Sequence, residues 1–337
     1  MNNIFDAAKI GSLKKFCSDA ERIVIVSHNN PDGDAVGSGL ALLFFLRRQG
    51  FRARFFVPNR YPQFLSWIDG NNDTEIYSEM QKEAKAYIAA ADLIFCVDFN
   101  LLPRLEKMAE AVESNLHART VLIDHHIEPG RFDLVFSDSS YSSASHMVYD
   151  LIKAWNDTEA VDLPTANALY AGIMTDTGGF SYSNVTGELM RAAAHLIDIG
   201  VDPVMAHREV YDTMSEDRMR MMGYLLYEKM KVFPENNAAY ISLTRDEKTR
   251  FAHQIGDTEG MANMPLSITG VRFSVLLIET TDHIKVSLRS QSDLDVNKLA
   301  RAHFNGGGHK NAAGGKLFST MDEAIATTEK VIRSVHP

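Results

Sequence analysis

Apolar, β-branched runs recur early in the chain at residues 23–26, 55–57, 93–97 and 120–123, and a helix-like stretch at 35–49 lies between the first two. Short buried strands alternating with helices predict a parallel α/β sheet. Three of the four runs end directly on polar residues: Ser27 and His28, then Asp98, then Asp124-His125-His126. In open α/β sheets ligands bind beyond the carboxyl ends of the strands, so these residues, far apart in sequence, are expected to converge on one edge.

After Asp176 the pattern changes. Helical periodicity covers 186–199, 203–213 and 215–232. From residue 238 onward, runs at 240–243, 271–278 and 284–288 predict a smaller mixed sheet, closed by a helix over 321–335. The turn-forming Pro234-Glu235-Asn236-Asn237 marks a boundary near Phe233. The expected fold is therefore α/β in two domains. A parallel-sheet domain with helices on both faces spans 1–185, a helical connector 186–233, and a smaller mixed α/β domain 234–337.

Composition agrees with this division, because 337 residues with 45% hydrophobic content can bury two cores. The net charge of −10 disfavours tight non-specific binding to long duplexes and leaves short or mononucleotide ligands open. A cluster of carboxylates would repel itself unless divalent cations compensated it. The longest apolar run, near residues 40–46, falls far short of the roughly 18 to 20 residues that cross a bilayer. The N-terminus carries no basic-then-apolar leader, and the expectation is a soluble, cytoplasmic protein with no membrane partner. Only Cys17 and Cys96 occur, the latter inside an apolar run, which argues for a reducing compartment and against a disulfide framework or a catalytic thiol.

The segment from Ser27 to Ala35 puts His28, Asp32 and Asp34 at a strand-to-helix turn that Pro31 and Gly33 permit. Asp34 suits a helix N-cap equally well, and Asp98 could simply cap the turn after its strand. Adjacent imidazoles beside a carboxylate at a strand end, as in Asp124-His125-His126, are uncommon and suit metal ligation. Asp176, entering the glycine-rich turn Thr177-Gly178-Gly179, would by itself read as a helix terminus. Together, five carboxylates and three imidazoles exceed the needs of one ion, so two divalent ions sharing a bridging carboxylate are expected. Oxygen-rich ligation without thiolate favours Mn²⁺, with Mg²⁺ or Fe²⁺ also suited, over structural zinc. The first strand turn lacks a G-x-G-x-x-G fingerprint, which weighs against a dinucleotide oxidoreductase.

In their order and strand context, His28-x-x-x-Asp32-x-Asp34, Asp98, Asp124-His125-His126 and Asp176 resemble the motifs of the DHH phosphoesterase family. The stretch from Phe304 to Gly314 resembles the GGGH motif of the accessory DHHA1 domain. The resemblance implies a DHH catalytic domain at 1–185 and a DHHA1 substrate-binding domain at 234–337. It implies that His28 and Asp32 hold one ion, that Asp34, His125 and Asp176 hold the other, and that Asp98 bridges them. Asp124 would orient or assist ligation, and His126 would contact the phosphate or leaving group. The chemistry implied is attack on phosphorus by hydroxide formed at two metals, with no covalent enzyme nucleophile. Gly306, Gly307 and Gly308 are expected to offer successive backbone amides as an anion-binding concavity, with His309 and Lys310 adding side-chain donors. Arg289 resembles an arginine that meets substrate phosphate or base.

The GGGH loop argues against a family II inorganic pyrophosphatase. The chain most resembles the bacterial oligoribonuclease/pAp phosphatase group, whose substrates are very short RNAs and 3′-phosphoadenosine 5′-phosphate (pAp). A short single-stranded RNA or small nucleotide is the expected substrate, and a homodimer is the family expectation. The alternatives are an exopolyphosphatase-like enzyme, a cyclic or linear dinucleotide phosphodiesterase and, outside the class, a non-catalytic nucleotide sensor. Phe180, Tyr182 and Phe304 flank the motifs as candidate base-stacking residues, and core packing is the default for each.

Overall fold

Strand β1 (Ile23–Val26) consists of four β-branched residues buried on both sides, the composition of a strand covered on both faces. In the computed structural model, which describes residues 4–155, 161–291 and 293–335, it lies inside a six-stranded sheet. The other strands are β2 (Ala53–Val57), β3 (Thr74–Ile76), β4 (Leu93–Val97), β5 (Arg119–Asp124) and β6 (Leu134–Ser137). The order is β3-β2-β1-β4-β5-β6, and every neighbouring pair is parallel. From β1 the chain first builds toward β3 and then returns to the other side of β1 as β4. The switch point therefore falls between β1 and β4, where this topology opens a crevice at the carboxyl ends of the strands. Val26 pairs with Cys96 and Val97 with Ile123, so His28, Asp98 and Asp124 leave adjacent strands at one edge.

Alternate residues of β1 serve two cores. Ile23 and Ile25 pack with α1 (Ala7–Asp19) and α2 (Gly33–Arg48), whereas Val24 and Val26 pack with α3 (Gln81–Ala89) and α4 (Ala109–Glu113). The first of these cores also receives α5 (Ala144–Ala154), α6 (Leu163–Asp176), α7 (Gly187–Ile199) and α8 (Pro203–His207). Helices thus cover both faces of the sheet, as the alternating pattern predicts. These elements form one compact unit, Met1–Thr213, and Met214–Pro337 form the second.

The second unit holds a mixed sheet of β7 (Lys231–Phe233), β8 (Ala238–Leu243), β9 (Phe273–Glu279), β10 (Ile284–Ser290), β11 (Gly307–Gly308) and β12 (Ala312–Leu317). Its order is β11-β12-β10-β9-β8-β7, with β8 and β9 parallel and the other pairs antiparallel. One face packs on α11 (Val296–His303) and α12 (Met321–Ser334); α9 (Glu216–Tyr224) covers the other, and α10 (Arg245–Arg250) follows β8. The helical periodicity read through residue 232 stops at Lys229, because Val232 and Phe233 pair with Ala239 and Ala238 and Phe233 enters the core. Among the described residues, no helix is long and apolar enough to cross a membrane.

Candidate metal centre

The site begins where β1 and β4 end side by side. Ser27 Oγ donates to the Val97 carbonyl at 2.8 Å and ties the two strand ends together. Asp32, rather than Asp34, is the N-cap of α2, its Oδ1 accepting from the amides of Asp34 and Ala35 at 3.1 Å each. Asp34 is left buried in the first turn, and its two oxygens accept from the amides of Ala144 (2.6 Å) and Ser145 (2.8 Å). Those amides open α5, whose N-terminal donors and dipole favour an anion. The close approach needs Gly172 of α6, where a Cβ would overlap Ser145 Oγ and lie 3.0 Å from Asp34 Oδ1.

Asp98 follows β4 with φ +64°, a left-handed conformation that Asp tolerates better than bulkier residues. Its two oxygens divide between two imidazoles: Oδ2 lies 3.4 Å from His28 Nε2, and Oδ1 lies 3.4 Å from His125 Nε2. His28 Nε2 also faces Asp32 Oδ1 at 3.9 Å. His125 Nε2 faces Asp176 Oδ2 at 3.5 Å and Asp34 Oδ2 at 3.8 Å. His126 Nδ1 donates to Asp124 Oδ1 at 2.7 Å and lies 3.9 Å from Asp98 Oδ1. All eight residues singled out in the first domain's motifs are therefore brought together, and their donor atoms group as His28/Asp32/Asp98, Asp34/His125/Asp176 and Asp98/Asp124/His126.

Hydrogen bonds on the far side of the rings fix what the near side presents. His28 Nδ1 lies 3.0 Å from the Asn29 carbonyl and His125 Nδ1 3.3 Å from the Tyr141 carbonyl. A carbonyl only accepts, so both rings donate from Nδ1, the arrangement found behind metal-ligating histidines. A neutral ring then turns the Nε2 lone pair toward carboxylate oxygens, which repels unless a cation or a proton lies between. Ligands bound to one ion at about 2.0–2.2 Å and at right angles lie about 3 Å apart, close to the spacings seen. Asp98 Oδ1 and Asp124 Oδ2 are, moreover, buried oxygens without a hydrogen-bond donor. The donor set fits divalent cations.

The electrostatics carry the same demand for positive charge. Burial lowers the pKa of His28 and His125, yet nearby carboxylates, Asp98 first among them, raise both above the usual imidazole value, His125 well above. Burial, then Asp98 and Asp176, pushes Asp34 well above the carboxylate range. Burial alone would raise Asp98 too, but His125 and His28 hold it well below. Neither thiol takes part: Cys17 and Cys96 are buried, and burial pushes Cys17 up to about 12.

Asp176 is the last residue of α6, and the turn after it is unusual. Gly178, Gly179 and Phe180 all adopt positive φ (+55°, +65° and +65°), which for Phe180 costs roughly 1–2 kcal/mol. Thr177 Oγ1 braces the turn by donating to the Ile173 carbonyl at 2.7 Å and accepting from the Phe180 amide at 3.2 Å. Phe180 packs against Tyr170 with ring centres 5.6 Å apart. Asn184 Nδ2 donates at 3.2 Å to the carbonyls of both Ser142 and Asp176, joining the backbone of Asp176 to the loop before α5. Sequence reasoning passed over Asn184, whose only signal was its nearness to Asp176.

In the second unit the glycine motif departs from expectation. Gly307 and Gly308 form β11, paired with Gly314 and Ala313. The amides of Gly306, Gly308 and His309 are already engaged, donating to Ala300 O (3.2 Å), Asn297 Oδ1 (3.0 Å) and Ala312 O (2.8 Å). Those three amides are therefore not open to an anion. These glycines instead permit close backbone approach, since a Cβ at Gly306 would overlap the Gly314 carbonyl. Phe304 is fully buried in the core of this unit, which removes it as a base-stacking candidate. Arg289 lies on β10 opposite Ser274 and Ala312, its Nη1 donating to the Leu288 carbonyl at 3.0 Å. Lys310 Nζ pairs with Asp293 at 2.9 Å.

Comparison with known proteins places both units. Residues 22–173 match the DHH family, N-terminal domain, and residues 250–334 match the DHHA1 domain. The chain is 28% identical over 309 residues to the bifunctional oligoribonuclease and PAP phosphatase NrnA of Bacillus subtilis, covering 90% of this chain and 91% of that one. It is likewise 28% identical over 321 residues to the protein of that name from Thermus thermophilus, covering 93% and 89%. Among solved structures it is 40% identical to an exopolyphosphatase-related protein from Bacteroides fragilis, with a TM-score of 0.92 over 99% of this chain and 98% of that one.

Proposed function

The chain belongs to the DHH family of metal-dependent phosphoesterases and carries its DHHA1 domain, and from that premise we infer that it hydrolyses very short oligoribonucleotides to mononucleotides and pAp to AMP. The observation that carries the two-metal part of this reading is Asp98, which turns one buried oxygen toward His28 and the other toward His125. One carboxylate so divided suits a bridge between two ions. His28 and Asp32 would hold one and Asp34, His125 and Asp176 the other, with Mn²⁺ the best match to oxygen and imidazole donors. When bound, such ions acidify water for attack on phosphorus and neutralise the charge that develops on the phosphate oxygens.

The remaining residues prepare the site. The α5 amides fix Asp34, and the carbonyls of Asn29 and Tyr141 fix the His28 and His125 rings. Asp124 holds His126 through Nδ1, so that Nε2 serves as the group that carries a proton at the phosphate or leaving oxygen. In the second unit, Arg289, His309 and Lys310 supply side-chain donors for a substrate phosphate, and Gly306, Gly307 and Gly308 shape the hairpin that holds His309. The substrate choice is supported by the names of the Bacillus subtilis and Thermus thermophilus relatives.

A second reading, shortening of polyphosphate, draws on the exopolyphosphatase-related protein at 40% identity. A side-by-side Mn²⁺ assay on short RNA, pAp, a cyclic dinucleotide and polyphosphate separates the two. Release of mononucleotide or phosphate from RNA and pAp is expected. Turnover of polyphosphate alone would favour the second reading, and no release from any of the four would leave a nucleotide-binding sensor.

A further inference from the structure

We propose that Asn184 is a positioning residue for one of the two metal pockets, the one formed by Asp34, His125 and Asp176, and that it leaves the other pocket alone. This rests on the two-metal reading above and adds to it a residue that acts through backbone carbonyls rather than on the ions. The three ligands of this pocket come from three separate places: the first turn of α2, the loop after β5 and the end of α6. Two of them are held by the same short loop, residues 141–145. The Tyr141 carbonyl accepts from His125 Nδ1 at 3.3 Å, and the amides of Ala144 and Ser145 donate to the Asp34 oxygens at 2.6 and 2.8 Å.

Asp176 needs a further tie. It ends α6, where carbonyls have no intrahelical donor, and its side chain is 30% exposed, against 1% for Asp34 and 7% for His125. Its place therefore depends on how its backbone is held. Asn184 Nδ2 donates to the Asp176 carbonyl and to the Ser142 carbonyl, each at 3.2 Å. One side chain thus fixes the end of α6 to the loop that holds the other two ligands. Both carbonyls only accept, so the amide nitrogen has to face them. Asn184 Oδ1 is buried and meets no donor among the described residues, which is unfavourable. A side chain kept for packing alone would not incur that cost. Asn184 is itself steadied on both sides. The amides of Ser181 and Tyr182 donate to the Thr177 carbonyl at 2.9 and 3.0 Å, and the Val185 amide donates to the Tyr182 carbonyl at 3.2 Å. Thr186 then caps α7 by accepting from the Leu189 amide at 3.2 Å. Residues that orient ligands without binding the ion commonly set its affinity. The pocket of His28 and Asp32 is built instead on the end of β1 and the start of α2, with the His28 ring held by the Asn29 carbonyl.

The test measures Mn²⁺ affinities calorimetrically in wild type, Asn184→Ala and the nearly isosteric Asn184→Leu. Loss of a residue that orients ligands lowers metal affinity by about 10- to 100-fold, so both variants should weaken one ion by that factor and leave the other unchanged. A double-mutant cycle assigns the ion. The loss should persist in a His28→Ala background and vanish in an Asp176→Asn background, whose remaining ion sits at His28 and Asp32. Equal weakening of both ions, as a general loosening of the fold would give, or no weakening of either, overturns the proposal. So does a wild-type affinity in Asn184→Leu, because bulk rather than the two donated hydrogen bonds would then be the cause. If wild type binds fewer than two Mn²⁺ ions, the two-metal reading fails by itself. Amide exchange in EDTA then still decides the tie: faster exchange across residues 141–145 and 176–182 in both variants supports it, and unchanged exchange refutes it.

Discussion

Asp34→Asn probes the most tightly built ligand in the metal centre. Both Asp34 oxygens accept buried backbone amides, from Ala144 at 2.6 Å and Ser145 at 2.8 Å. Asparagine would turn an NH2 group toward one of these donors, and a buried N–H left unsatisfied costs about 1–3 kcal/mol. Removing the charge offsets only part of this, although burial together with Asp98 and Asp176 disfavours the Asp34 carboxylate when no cation is bound. For a unit of this size, Met1–Thr213, each kcal/mol moves the midpoint by about 2–4 °C. Thermal unfolding in EDTA should therefore show a fall of about 2–12 °C. Mn²⁺ should widen the gap: at a hundredfold excess over Kd the wild type gains about 2.7 kcal/mol, and the variant, having lost a ligand, gains less. Equal stability in EDTA, or a gap that Mn²⁺ leaves unchanged, would refute the reasoning.

Gly172→Ala sets about 1–3 kcal/mol of overpacking against a gain of about 1 kcal/mol in helix propensity. Its stability should change modestly, while displacement of Ser145 from Asp34 weakens Mn²⁺ binding in a calorimetric titration; unaltered affinity would contradict the clamp. Phe304→Ala should cost about 3–5 kcal/mol in urea unfolding, as a core deletion does, and should lower activity on pAp and its abasic analogue alike. A loss confined to pAp would place Phe304 against the base after all.

The strands that carry the site were legible because β1, β4 and β5 are covered on both faces, which demands nearly continuous apolar sequence. The short outer strands β3 and β6 carry half-exposed residues such as Glu75 and Ser137 and give no such signal. The sequence of β12, Ala312-Ala313-Gly314-Gly315-Lys316-Leu317, has poor strand propensity, and only its pairing with β10 and β11 makes it a strand. The metal motifs were readable as donor types at strand ends. Their support was not, because the α5 amides that hold Asp34 and the Asn184 side chain that holds the Asp176 carbonyl depend on tertiary neighbours. The same limit explains the glycine motif. Its residues advertise free amides, yet whether an amide is free depends on partners as remote as Asn297 and Ala312.

A shared Asp98 between two ions is tested most directly by counting bound Mn²⁺ and measuring its affinities in wild type, Asp98→Ala and Asp176→Asn. Two ions are expected in wild type, with both sites weakened by Asp98→Ala and one by Asp176→Asn. A single ion in wild type, or an Asp98→Ala variant that loses only one of two sites, would contradict the bridge.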